Sequence, residues 1–395
     1  MAFMFMVISF GVANGCNVLS AQHWGKGNIG EIKKIISFMF RVVFLLSVLF
    51  ALLAIVTPGA VMRLFIEDRL VIEEGMIYLR IIGVGFLFSG FTNATIGVLR
   101  STGTVRISVV IYSVSLVINT CLNYVLIFGK FGAPALGIAG AAIATLISRM
   151  AETAIALIYL FRFEEKIGMR PKDLLKTDPR IVRDFLRYST PVLINEVVWS
   201  SGNAMISVVI GHMGREFVAA NSICSVLTQL ANAGIYGISN AAATIVGNTI
   251  GAGEYDRAKR RAKAFLGISL VGGSCAAAIM FLMRTPLIGL YNISDTAREY
   301  AFQITAVASF LLILQTIAMV MMMGVLRGGG DTRFVMFADV IFMWVVALPL
   351  GAVAGLWLAL PVPVVYTVLK CEDMFKTGVS IARVLGGKWV RDVTT

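Results

Sequence analysis

The chain contains two copies of the same sequence pattern, and this duplication constrains its fold more than any other feature. Residues 11–34 read GVANGCNVLSAQHWGKGNIGEIKK, and residues 237–260 read GISNAAATIVGNTIGAGEYDRAKR. A second pair of motifs, GVLRSTGTVR at 97–106 and GVLRGGGDTR at 324–333, has almost the same spacing. The offsets are 237 − 11 = 226 and 324 − 97 = 227 residues. Two motifs at nearly one offset indicate a tandem repeat, so the two halves should share one fold.

The composition predicts that this repeated fold is embedded in a membrane. Of the 395 residues, 58% are hydrophobic and 14% are charged, with a mean hydropathy of +0.86. A soluble protein carries roughly 25% charged residues. We therefore expect an all-α polytopic membrane protein, because helices satisfy their own backbone hydrogen bonds in lipid.

Eleven apolar stretches are long enough to cross a bilayer as helices. They lie near residues 1–19, 35–56, 76–98, 107–128, 138–160, 192–210, 218–246, 264–281, 302–325, 334–353 and 357–383. The last stretch is the least regular, because it contains Pro361 and Pro363 and its apolar run ends at Leu369.

The charges in the loops predict the orientation of the helices. Loops rich in Lys and Arg alternate with loops that hold acids such as Asp295 and Glu299, and the basic set should be cytoplasmic. Both copies of each motif fall on the basic side, so the halves should be related by an axis along the membrane normal. We predict an N-terminal lobe at 1–161, a cytoplasmic linker at 162–187 and a C-terminal lobe at 188–395.

The first predicted helix of the second half has no counterpart in the first half. Its partner would begin at 188 − 226 = −38, ahead of Met1. We therefore predict two pseudo-symmetric lobes with five and six transmembrane helices, derived from a six-plus-six parent.

Ionisable residues inside predicted spans are the first candidates for function, because they are costly in hydrocarbon. Glu196 lies five residues after Pro191 in a predicted helix. A carboxylate there can bind a proton or a cation, or else pair with a neighbouring loop. Asp339 is a second cation ligand or a hydrogen-bonding contact between helices. Arg149 and Glu152, three residues apart on one helix, are expected to form a buried ion pair.

Two amides lie on one face of another predicted helix, since Asn119 and Asn123 are four residues apart. They either hold helices together by hydrogen bonds or coordinate a cation. A neutral amide can bind Na⁺ through its oxygen but cannot take up a proton at physiological pH. If this site works, Glu196 is the better proton carrier.

Composition also argues against a metal site and a nucleic-acid partner. His23 and His212 are the two histidines and lie in different loops, and the five cysteines form no CxxC motif. The net charge of +12 is explained by Lys and Arg in cytoplasmic loops. We predict no metal, no cofactor and no nucleic acid.

Several motifs together resemble the multidrug and toxic compound extrusion (MATE) family, in particular its NorM- and DinF-like bacterial members. They are NTCLNYVLIFGKFGAPALGIAGAAIAT at 119–145, PVLINEVVW at 191–199, the GAG turn at 251–253, LRGGGDT at 326–332, and the combination of Asp339, Trp344 and Pro349. The resemblance implies a twelve-helix antiporter of two lobes that exports organic, often cationic, compounds in exchange for Na⁺ or H⁺. It also implies a position in the cell membrane, with the lipid bilayer and small organic compounds as partners and no obligate protein partner.

The resemblance adds one residue to the amide site. Some DinF-like members have Asn followed by Asp at the positions of Asn119 and Asn123, with Thr at the position of Thr145. Asn123 departs from that charged version. The helix without a counterpart corresponds to the first helix of the family, which often carries an acidic residue of the cation site.

Three alternatives to an antiporter stay open. A flippase for lipid-linked precursors needs a strongly basic cavity, and Arg149 is the main central base in the predicted spans. An inactive, truncated transporter is possible because the counterpart of one helix is absent. An enzyme is disfavoured, because the sequence offers no nucleophile–histidine pair.

Overall fold

The protein is described by a computed structural model over residues 1–63, 68–176 and 178–394, and these residues contain helices and no strand. The first half contains five long helices: α1 (Ala2–Gly25), α2 (Ile29–Val56), α3 (Arg69–Ser101), α4 (Arg106–Phe128) and α5 (Gly137–Phe163). The second half contains α6 (Pro179–His212), α7 (Arg215–Gly251), α8 (Tyr255–Gly289), α9 (Asp295–Leu326), α10 (Thr332–Trp357), α11 (Val362–Leu369) and α12 (Glu372–Leu385). Short turns of helix at Pro58–Arg63 and Pro171–Leu175 lie between them.

The prediction of an all-α polytopic membrane protein is confirmed. Within the described ranges, nine helices are long and apolar enough to cross a membrane. Helix α7 has 37 residues but is not among the nine, because many Asn, Ser, Thr and Gln residues dilute its apolar ones.

The predicted span at 357–383 is wrong. Trp357 ends α10, and the chain then forms two shorter helices, α11 and α12, separated by Lys370 and Cys371. Ala359 adopts a φ of 45° and Pro361 directly precedes α11, so the backbone cannot continue as one helix. Hydropathy alone cannot detect such a break.

The duplicated GVLR motifs build the same turn in both halves. The Thr104 amide donates to Leu99 O at 2.8 Å, and the Asp331 amide donates to Leu326 O at 3.0 Å. Gly103 and Gly330 have φ values of 76° and 84°, a left-handed conformation that favours glycine. The shared offset therefore corresponds to shared backbone geometry.

The helices that carry these turns also pack on equivalent positions of a neighbouring helix. Gly97 lies against Ala13, and Gly324 lies against the Ser239 carbonyl oxygen. The positions match, because 13 + 226 = 239. Glycine at both sites allows the two backbones of each pair to approach closely.

The described chain forms two compact units. Unit 1 contains Met1–Ser20 and Asn28–Leu193, and unit 2 contains Ala21–Gly27 and Ile194–Thr395. The last residues of α1 therefore belong to unit 2. Within unit 2, a Cβ atom on Gly25 would overlap the Asn248 carbonyl, and one on Gly251 would overlap the Gln22 carbonyl. These four positions pair through the repeat, so the two helix ends pack on each other in the same way.

The chain after α12 also holds Gln22 in unit 2. The Gln22 amide donates to Gly328 O at 3.2 Å and to Arg391 O at 3.1 Å, and Gln22 Oε1 accepts from the Val393 amide at 2.9 Å. Trp389 in this segment is fully buried and lies against Gly329. Where the first copy of the motif has Ser101 and Thr102, the second has Gly328 and Gly329. The missing side chains leave room for the segment that contains Trp389.

In unit 1, the segment that follows α5 folds back on α2. Lys33 Nζ lies 3.5 Å from Asp173 Oδ2, and Lys34 Nζ lies 2.8 Å from Asp178 Oδ2. Both lysines come from the repeated GVANG motif. The predicted linker at 162–187 therefore contacts the basic start of α2 through its acidic residues. Thr177 of that range lies outside the described residues.

Asp173 is the most strongly held of these carboxylates. Lys176 Nζ lies 2.7 Å from Asp173 Oδ1, and the Arg170 amide donates to Asp173 Oδ2 at 3.0 Å. The hydrogen bond from Lys176 outweighs the opposing effect of burial and lowers the pKa of Asp173 to about 2. Asp173 therefore stays ionised at any physiological pH.

Candidate functional site

Glu196, the leading candidate from the sequence, forms a buried ion pair. Arg327 Nη1 donates to Glu196 Oε1 at 2.7 Å, and 4% of the Arg327 side chain and 14% of the Glu196 side chain are exposed. Arg327 follows a π-helical segment, Val320–Leu326, which ends α9. Such wide turns are frequent at functional sites, because they reorient the side chains that follow.

The Arg327 guanidinium donates to Glu196 through one of its three nitrogens, Nη1. Its Nε and Nη2 atoms are buried and have no hydrogen-bond partner within the described residues. An unsatisfied buried donor costs about 1–3 kcal/mol, so the arrangement carries a penalty that a different set of contacts would relieve. The pair is therefore charge-neutral but incompletely hydrogen-bonded.

Asp339 also pairs with a cation that the sequence did not predict. Lys376 Nζ lies 2.7 Å from Asp339 Oδ1 and 2.7 Å from Glu372 Oε2, and all three side chains are buried. Lys376 and Glu372 belong to α12, whereas Asp339 belongs to α10. Asp339 thus makes a contact between helices. Its other proposed role, as a cation ligand, stays a prediction.

The two helices that carry Glu196 and Asp339 contact each other through a tryptophan. Trp344 Nε1 donates to the Val198 carbonyl oxygen at 3.1 Å. Val198 is two residues from Glu196, and Trp344 is five residues from Asp339. Within the described chain, however, the two carboxylates share no hydrogen bond, and each is neutralised by its own cation.

The three predicted polar residues of unit 1 lie together. Asn123 Nδ2 donates to Asn119 Oδ1 at 2.9 Å, and Asn119 Nδ2 lies 3.5 Å from Thr145 Oγ1 on the next helix. Asn123 Oδ1 is buried, and no described residue donates to it. An amide oxygen without a donor can accept a cation but cannot carry a proton.

The predicted pair of Arg149 and Glu152 is also present, with an additional partner. Arg149 Nη1 lies 3.0 and 2.9 Å from the two Glu152 oxygens, and Ser115 Oγ donates to Glu152 Oε1 at 2.5 Å. Glu152 is buried, whereas 42% of the Arg149 side chain is exposed. This carboxylate is satisfied from two sides.

Sequence reasoning missed Arg327 and Lys376, the two cations that neutralise the candidate carboxylates. For Arg327 a signal was present, because GVLR ends in arginine in both copies of the repeat, at Arg100 and Arg327. An arginine repeated at the end of an apolar stretch predicts a buried counter-charge nearby. Lys376 was missed because one continuous span was predicted at 357–383, whereas Lys376 lies on a separate helix, α12.

Comparisons with known proteins agree with the fold and the motifs. The family model described as MatE matches residues 1–125 and 191–353. A Bacillus subtilis (strain 168) protein named probable multidrug resistance protein YoeA is 24% identical over 372 residues, covering 90% of this chain and 80% of its own length. A Thermotoga maritima protein named probable multidrug resistance protein NorM is 27% identical over 392 residues, covering 97% and 82%.

A crystal structure described as MATE in complex with MaL6 has a TM-score of 0.89 against this chain. It covers 98% of this chain and 87% of that chain at 17% sequence identity. At this identity the likeness establishes the shared fold alone.

Proposed function

Since the chain belongs to the MatE family, we propose that it is a secondary active antiporter of the cell membrane. It exports small organic, often cationic, compounds in exchange for Na⁺ or H⁺ by alternating access. Its relatives named above are described as multidrug resistance proteins, which supports transport rather than catalysis.

The observation that supports coupling best is the ion pair of Glu196 and Arg327. A membrane-length helix and the end of another each contribute one buried charge to it, at 2.7 Å. Such charges are costly in a membrane protein and typically mark ion or substrate pathways. A pair kept only for packing would be expected to use more than one of the arginine donors.

A coupling cation at Glu196 has to share the carboxylate with Arg327 or displace it. Binding and release of the cation then change the contacts of Arg327, which lies at the carboxyl end of α9. A ligand shifts a conformational equilibrium only by binding its two states differently. The exchange between cation and guanidinium supplies that difference.

The amide cluster of unit 1 is a second candidate for the same ion. The free Asn123 oxygen, with Asn119 and Thr145 beside it, suits Na⁺ rather than H⁺. Asp339 is a less favoured ligand, because Lys376 already occupies it. We therefore rank Glu196 first, the amide cluster second and Asp339 third.

The flippase alternative gains no support from the structure. Arg149, the main central base in the predicted spans, is paired with Glu152, and Arg327, which the structure adds, is paired with Glu196. They do not add up to the basic cavity that a pyrophosphate headgroup requires.

Transport by the purified protein in liposomes tests the proposal. The labelled probe is tetraphenylphosphonium, an organic cation, and either a Na⁺ or a H⁺ gradient is imposed. We expect uphill movement of the probe with one gradient, abolished by an ionophore that dissipates it. Simple equilibration of the probe under both gradients would contradict antiport.

A further inference from the structure

In unit 1 the basic start of α2 is covered by acidic residues of the same chain. Lys33 and Lys34 contact Asp173 and Asp178 of the segment that follows α5. Ser37, one turn further along α2, donates to two backbone carbonyl oxygens of that segment at 2.6 and 2.8 Å. This part of α2 is thus a binding face for anionic and hydrogen-bond-accepting groups.

The repeat places a second copy of this face at the start of α8. The offset of 226 residues converts Lys33 to Lys259, Lys34 to Arg260 and Ser37 to Lys263. We call Lys259, Arg260 and Lys263 the basic face of α8. On a helix these residues are neighbours, because Lys263 follows the other two by four and three positions.

The residues after α12 contact only the beginning of the second copy: the Tyr255 hydroxyl donates to Asp392 Oδ2 at 3.4 Å, and Gly387 lies near the Lys259 side chain. Lys259, Arg260 and Lys263 are exposed, and among the described residues neither Arg260 nor Lys263 has an ion pair or a hydrogen bond. Lys259 lies 3.8 Å from Asp256, which is itself exposed. The second face is more basic than the first, because a lysine replaces Ser37, and its residues Arg260 and Lys263 have no partner within the described ranges.

An exposed apolar stripe continues the basic face along α8. Gly267, Val271 and Leu282 follow Arg260 on the same side of the helix, and Val271 and Leu282 are 65% and 70% exposed. At 1.5 Å per residue, Val271 lies about 16 Å along the helix axis from Arg260. Helix α8 is one of the nine helices in the described ranges that are suited to cross a membrane, so we expect this stripe to face lipid tails.

We propose that the basic face of α8 binds the phosphate of an anionic phospholipid headgroup. The lipid takes the position that Asp173 and Asp178 take on α2, and its acyl chain follows the stripe that contains Val271. A basic cluster at the end of a transmembrane helix attracts anionic lipid by the charge of each Lys or Arg. The apolar stripe below it favours a lipid over an acidic protein segment, which would leave the stripe uncovered.

The test compares two double variants that remove the same charge. Arg260→Gln/Lys263→Gln changes the basic face. Arg180→Gln/Arg183→Gln is the matched control, because these exposed arginines have the same three-residue spacing on α6 and lie outside the basic face. Native mass spectrometry counts phosphatidylglycerol and phosphatidylcholine bound to each purified protein from an equimolar mixture.

We expect wild type to prefer phosphatidylglycerol. The Arg260→Gln/Lys263→Gln variant should bind it about thirtyfold more weakly, since each basic residue contributes about 1 kcal/mol near an anionic surface. The control should stay within about threefold of wild type. The exchange Arg260→Lys/Lys263→Arg keeps both charges and should keep the preference, which separates charge from folding.

Three results would overturn the proposal. The first is no preference for phosphatidylglycerol in wild type. The second is an equal loss in both double variants, because the attraction would then come from overall charge. The third is binding of a labelled acidic peptide with the sequence of residues 164–178 to wild type, lost in Arg260→Gln/Lys263→Gln, without any preference among lipids. That result would identify an acidic protein segment as the partner. None of these outcomes depends on transport, so the test is independent of the proposed antiport.

Discussion

Replacement of Arg327 by methionine should destabilise the protein more than removal of both charges of its pair. Methionine keeps the apolar stem of the side chain but leaves Glu196 ionised in a site where only 14% of that side chain is exposed. At a separation of about 4 Å between charge centres and an effective dielectric constant of about 20, the lost attraction is about 4 kcal/mol. Breaking a buried ion pair by removing one partner typically costs about 3–5 kcal/mol, in agreement with that figure.

The double variant Glu196→Gln/Arg327→Met should recover most of this loss. It leaves no uncompensated charge, and it also removes the two buried guanidinium donors that have no partner. We expect it to remain within about 2 kcal/mol of wild type, because neutral replacement of a buried pair is often tolerated. The coupling between the two positions should therefore exceed about 2 kcal/mol.

The stabilities of wild type, the single variants and the double variant can be compared by thermal unfolding in detergent, with the exposure of buried cysteines as the signal. Cys16 and Cys224 are buried, whereas Cys121 and Cys275 are exposed and can be blocked beforehand. A thiol-reactive dye then reports unfolding. Arg327→Met should lower the apparent midpoint by on the order of 10 °C, and the double variant should lower it far less. Equal losses in the single and double variants would refute the reasoning, because Arg327 would then act through packing rather than charge.

Two further predictions concern the segments that cover the repeated motifs. Asp173→Asn should release the segment between α5 and α6 and speed trypsin cleavage after Lys172 and Lys176; unchanged cleavage would mean that the backbone contacts suffice. Since the folded pKa of Asp173 is about 2, below its ordinary value near 4, this stabilisation is present above pH 4 and is lost as pH falls towards 2. Gly329→Val should displace Trp389, because a Cβ at Gly329 meets its ring, and so speed trypsin cleavage after the exposed Lys388 by loosening the segment that Trp389 anchors. Gly378→Ala, in open space on α12, is the control and should leave cleavage unchanged.

The sequence predicted those features that depend on local geometry or on periodicity. Ten of the eleven predicted spans correspond to helices, because long apolar stretches of a membrane protein have few alternatives to helix. Asn119 and Asn123 were correctly expected on one helix face, since a spacing of four residues brings them together in any α-helix. The repeat offset of 227 residues also aligned Gly103 with Gly330, the two glycines that adopt a positive φ in the turns.

Contacts distant in sequence could not be predicted in the same way. Glu196 and Arg327 are separated by 131 residues, so their pairing depends on how two helices pack. Asp339 meets Lys376 on α12, a helix that begins after a break in the chain which average hydropathy does not report. The ion pairs of Lys33 and Lys34 with the acidic segment also depend on the path of a loop, and composition does not specify that path.

Transport by Glu196→Gln in liposomes tests the central claim most directly. Glutamine keeps the shape of the side chain but cannot carry the charge that attracts a coupling cation. We predict that Glu196→Gln still binds tetraphenylphosphonium but no longer moves it uphill under the gradient that drives wild type. The control Glu299→Gln, which neutralises an exposed carboxylate on α9, should transport normally. Full gradient-driven transport by a folded Glu196→Gln protein would contradict the account and move the coupling site to Asn119, Asn123 and Thr145 or to Asp339.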